Sequence, residues 1–197
     1  MDISNLLQGA MGQQMINGVV NQLGIKNEQA QMAISAAVPF LISALNKNAN
    51  NGDAQNIANA LERDHDGSIL DNLGGFLSGG NFADGAGILN HILGNRQGQV
   101  ENAIGQSSGL NGGQIAQILA IVAPIVMGYL GKEKKEKGLD AGGLSSLLGG
   151  MVTGTAQTNQ REMSTIERLL DQDGDGSAMD DVMDLGSKFL GGFFGKK

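Results

Sequence analysis

Apolar residues recur at three- and four-residue steps through most of the chain, and no run alternates apolar and polar positions long enough to require a strand. The pattern predicts an all-α protein. Leu6, Leu7, Ala10, Met11, Met15, Val19, Val20 and Leu23 share one face of a helix expected from about residue 4 to 23, with Gly24 as its C-terminal cap. A second helix, from about residue 27 to 45, is apolar nearly all round after Met32, as a central buried helix would be. Pro39 should kink or divide it, because proline lacks a backbone donor and crowds the preceding turn. The polar run 46–53 reads as a loop, and short helices are expected at 54–61 and 69–77.

The pattern then repeats. GIKNEQAQMAISAAVPFLISALNK, starting at Gly24, and GLNGGQIAQILAIVAPIVMGYLGK, starting at Gly109, align without a gap and share Gly24/Gly109, Gln29/Gln114, Pro39/Pro124, Leu45/Leu130 and Lys47/Lys132. Pro39 and Pro124 are the only prolines in the chain, so their common register marks an internal duplication. The expected architecture is a multihelical bundle of two duplicated units with Pro-kinked central helices, followed by a C-terminal helix-loop-helix element. Residues 1–83 form unit A and 84–152 unit B, 153–164 a polar linker, and 165–197 an acidic, EF-hand-like element with a Gly/Phe tail. Within unit B the lysine-rich run 132–137 reads as a solvated hinge before a helix at 139–152.

Composition sharpens this picture. Aromatic residues are only 4% of 197, so the core must come from Ala, Leu, Ile, Val and Met. Each of the 32 glycines weakens a helix by roughly 1 kcal/mol relative to alanine, so these helices depend on tertiary packing. With no cysteine, disulfides and thiolate metal sites are excluded. The net charge of -7 is concentrated at 161–184, where eight acids face two bases. Glutamates interrupt the one basic cluster, at 132–137, and no aromatics accompany it, which argues against nucleic acid as a partner. The most apolar stretch, 115–130, is shorter than the roughly 20 residues a membrane span needs and reads as a buried helix. The N-terminal residues carry no signal-peptide pattern, and a cytoplasmic location is expected.

The candidate chemistry lies in two acidic segments that share Asp-x-Asp-Gly-Ser-x-x-Asp. In the second, Asp171, Asp173 and Asp175 occupy positions 1, 3 and 5 of an EF-hand-like loop, with Gly176 at the turn and Ser177 at position 7. Position 12 is Val182, where an EF-hand supplies a glutamate, so Asp180 or Asp181 would have to reach in. The candidate Ca2+ ligands are therefore Asp171, Asp173, Asp175, Ser177, Asp180 and Asp181, and the expected binding is weak. The first segment offers Asp64, Asp66, Gly67, Ser68 and Asp71, with Glu62 where a first aspartate would stand. Helix capping by Ser68, with Asp71 at N3, is the favoured reading there. His65 and His91 have no second histidine at ligand spacing, and no phosphate loop or catalytic constellation is legible, so an enzyme is not expected.

Three elements together resemble the bacterial domain of unknown function 937, the YidB-like family. They are the Asp-His-Asp-Gly-Ser-Ile-Leu-Asp segment, the paired proline-bearing helices, and the Leu-Leu-Asp-x-Asp-Gly-Asp-Gly-Ser element before the Gly/Phe tail. The resemblance implies a bacterial helical protein and brings no activity or catalytic residue with it. Two function classes follow from the residues. One is a non-catalytic interaction or self-assembly protein, with a homo-oligomer or a protein partner expected. The other is a calcium-responsive module using the 171–177 loop. Phe189, Phe193, Phe194, Lys196 and Lys197 make the tail the one segment suited to a membrane surface.

Overall fold

The longest apolar pattern becomes the spine of the molecule. The computed structural model describes residues 6–7, 9–80 and 82–158, with side chains through residue 154. In chain order the helices are α1 (Ala10–Leu23), α2 (Asn27–Asn48), α3 (Ala54–Arg63), α4 (Ser68–Asp71), α5 (Leu73–Gly79), α6 (Ala83–Leu93), α7 (Gln97–Ser108), α8 (Gly112–Lys137) and α9 (Ala141–Thr158). Seven of these have ten residues or more, and no strand occurs among the described residues. The all-α packed bundle is the fold that the periodicity predicts. Helix α8 lies at its centre, packed against α1, α2, α3, α4, α6 and α7, while α9 covers α2 and α3.

Burial explains why α2 and α8 are apolar nearly all round. Ile34, Val38, Leu41, Ile42 and Leu45 of α2, and Ile115, Ile118, Leu119, Val122, Ile125, Val126 and Leu130 of α8, are almost wholly excluded from solvent. Among the described residues α8 alone is long and apolar enough to cross a membrane, and most of that apolar stretch is buried in the core. Both prolines are buried within continuous helices, so neither divides its helix. Packing along the whole length compensates for the one hydrogen bond that each proline removes.

Helix ends follow local chemistry. Gly24, Gly109 and Gly138 take left-handed conformations that end α1, α7 and α8, as residues without a Cβ do at least cost. Asn111 begins α8 with a reciprocal pair: its Oδ1 accepts from the Gln114 amide at 3.0 Å, and its own amide donates to Gln114 Oε1 at 3.1 Å. At α2 the Lys26 amide donates to Gln29 Oε1 at 3.3 Å. Asp140 accepts from the Gly143 amide at 2.8 Å and starts α9.

Four expectations are corrected. The first helix begins at Ala10 after a bend at Gly9, although Leu6 and Leu7 are themselves helical. The run 46–53 is no loop. Helix α2 continues to Asn48 and joins α3 through a π-helical turn, Ala49–Asp53, in which Ala49 is buried and Gly52 absorbs the bend at φ 107°. Asn48 ties this turn to α6 by donating to the Ile92 carbonyl at 3.0 Å. The lysine run is likewise no hinge. It forms the last turns of α8, braced by Lys132–Glu136 (3.9 Å) and Lys137–Glu133 (2.7 Å) ion pairs at i,i+4 spacing. Finally, α9 runs on through Thr158 into the polar stretch, where Thr153 Oγ1 donates to the Gly149 carbonyl at 2.9 Å.

Candidate ligand cavity at the 64–68 loop

The first acidic segment links α3 to α4 and lies flat against α8. Glycine makes this contact: a Cβ on Gly131 would overlap the His65 carbonyl oxygen, and one on Gly128 would overlap the Ile69 side chain. Gly67 closes the turn at φ 101° with its Cα against Lys132. The Gly128 and Gly131 pair, which has no phosphate-loop spacing, thus serves to seat this loop.

Within the loop each carboxylate has a local donor. Asp64 is gripped by its neighbour Arg63, whose Nε and Nη2 donate to both carboxylate oxygens, the shortest contact being 2.6 Å. These hydrogen bonds hold Asp64 below the usual carboxylate range, and the guanidinium is 81% exposed, so the pair adds little stability. Asp66 accepts from the Ser68 amide at 3.1 Å, and that bond lowers its pKa. The cap of α4 is therefore Asp66 with Gly67 at the N-cap position. Ser68 is the first helical residue, and its predicted role as the capping side chain is corrected. A two-residue Asp-to-amide turn closes before a serine cap can form. Asp71 lies at the exposed end of α4. Among the described residues no group of three or more His, Cys, Asp or Glu is placed to hold a metal.

A cavity of about 170 Å3 opens beside this loop, between it, α5, α6 and α8. Asp64, His65, Ser68, Phe76, Phe82, Asp84, Gly85 and Pro124 are among its lining residues. Phe76 and Phe82 meet edge to face with ring centres 5.5 Å apart. Gly85 has its backbone against the Ala120 carbonyl, the acceptor that Pro124 deprives of its helical donor. Half-buried His65 has its pKa lowered, chiefly by desolvation, against the opposing pull of Asp64 and Asp84. A neighbouring cleft of about 280 Å3 is lined by Glu62, Asp66, Lys134 and Lys135 of mixed charge, and Lys134 pairs with Glu62 at 3.2 Å.

Sequence reasoning singled out Asp64, His65 and Ser68 and missed Phe76, Phe82 and Asp84. These sit on separate short elements, and no spacing relates them to the loop. His91 is exposed on α6, with Nδ1 2.8 Å from the Gly87 carbonyl oxygen. The candidate ligands Asp171, Asp173, Asp175, Ser177, Asp180 and Asp181, and the Gly/Phe tail, lie outside the described residues.

The architecture defines an all-α packed bundle with a small, partly acidic cavity. A family model described as "Bacterial protein of unknown function (DUF937)" matches residues 5–133, and the chain belongs to that family. No curated protein and no solved structure matches the chain.

Proposed function

We propose that this chain is a non-catalytic helical interaction protein that assembles with copies of itself. The observation that supports the reading best is the packing of α2 on α8. These two helices share a register from Gly24/Gly109 through Pro39/Pro124. Each follows a left-handed glycine, and each has a glutamine at its third position that accepts the N-cap amide. We read them as copies of one duplicated unit. A unit whose copies pack together inside one chain is self-complementary, which is the property a symmetric homo-oligomer needs. Gln29 adds a contact between the units, donating from Nε2 to the Gly109 carbonyl at 3.3 Å. On the outer side of α2, Met32 is 46% exposed, and the partly exposed Ala36 lies one turn further on. That face is the one offered to a second chain.

Light scattering across a wide range of protein concentration tests the reading. The mass should rise above that of the monomer, and Met32→Glu should shift the equilibrium back toward it without lowering thermal stability. A monomer at every concentration refutes self-assembly.

A further inference from the structure

We propose that the cavity beside the 64–68 loop binds an alkylammonium group, the chemistry carried by a lysine side chain or a small primary amine. Charge, shape and volume each support this. Among the described lining residues the charged groups are Asp64 and Asp84, with no lysine or arginine. Burial keeps the third titratable group, His65, toward its neutral form, so it does not cancel the acids. The lysines on the loop's other flank, Lys134 and Lys135, line the separate mixed-charge cleft. A cation entering here therefore meets Asp84 and, where it displaces Arg63, Asp64.

The remaining wall is apolar. Ile69, Phe76, Phe82 and Pro124 suit a short hydrocarbon stem, and aromatic rings also favour an adjacent ammonium. The space open to a small molecule is about 170 Å3. The butylammonium portion of lysine has five non-hydrogen atoms and fits that space. Arg63 already sets a cation on Asp64, held only by an exposed pair that a ligand can displace. The proposal is independent of self-assembly, because the cavity is formed within one chain.

The test is an NMR titration of the full-length protein with n-butylammonium, with n-butanol as a neutral control of the same shape. Butylammonium should move the amide signals of residues 64–69 and 82–85, and butanol at the same concentration should leave them in place. Asp84→Asn should weaken binding up to about fivefold, the range of one exposed charge pair, while Arg63→Ala should strengthen it by freeing Asp64. A parallel titration with Nα-acetyl-lysinamide separates the sources: tighter binding than butylammonium assigns a protein-borne lysine, and weaker binding assigns a free amine. Equal shifts with butanol, shifts confined to other parts of the fold, or unchanged affinity in both Asp84→Asn and Asp64→Asn overturn the proposal.

Discussion

Replacing Gly131 by alanine sets helix propensity directly against packing. In the interior of α8 the change favours the helix by about 1 kcal/mol. In the folded protein the new methyl group would overlap the His65 carbonyl oxygen and lie 3.2 Å from the Leu61 carbonyl oxygen. Both obstacles are backbone, so relief requires the end of α3 and the 64–68 loop to lift from α8. Overpacking of this kind costs about 1–3 kcal/mol, and rigid obstacles place it at the upper end. Net destabilisation is then about 2 kcal/mol, which for a chain of this size lowers the melting temperature by about 4–8 °C. Gly87→Ala in α6 is the control, since its methyl meets nothing within 4 Å. It should raise the melting temperature by about 2–4 °C. Calorimetry of the two variants gives the answer. If Gly131→Ala melts at or above the parent while Gly87→Ala melts above it, the close approach of loop and helix is wrong.

The remaining predictions concern charge and capping. Because His65 has a lower pKa in the fold than in the unfolded chain, its contribution to stability is present above its ordinary value of about 6.5 and is lost as pH falls toward the folded value. Denaturant melts from pH 7.5 to 5 should show that loss, and His65→Gln, with Asp64 and Asp84 left in place, should flatten it. Asn111→Ala removes one half of the reciprocal cap on α8 and should cost about 1 kcal/mol in urea unfolding. Lys137→Met strips the buried Glu133 carboxylate of its ion-pair partner and should cost about 2 kcal/mol. Adding Glu133→Met should restore part of that loss, and a double variant less stable than the single one would contradict the pairing.

The sequence made the core legible where periodicity and caps coincide. Asn111, Gln114 and the apolar run that follows specify α8, and Gly24 and Gly109 end the helices before α2 and α8. Composition misled where it described only solvent exposure. The lysine run resembles a hinge because an exposed helix end and a loop use the same side chains, and nothing in the letters reveals that Glu133 is buried. The asparagine-rich 46–53 stretch resembles a loop because its π-helical turn depends on one glycine at positive φ and on a hydrogen bond to α6. For the cavity, the loop was visible and its surroundings were not. Phe76, Phe82 and Asp84 share a cavity with His65 only because α5 packs on α1 and α6 packs on α8, a relation set by tertiary packing.

The central position of α8 also bears on how the protein is made. The segments of α1 to α7 are synthesised before the helix that six of the elements pack against. Until α8 emerges, the apolar surface of α2 lacks the contact with α8, which must close over a long stretch of chain. Stable tertiary structure is therefore expected late in synthesis. Nascent chains stopped before Gly112 should be open to protease and to chaperones that recognise apolar segments, and protection should arrive abruptly once α8 has cleared the exit tunnel.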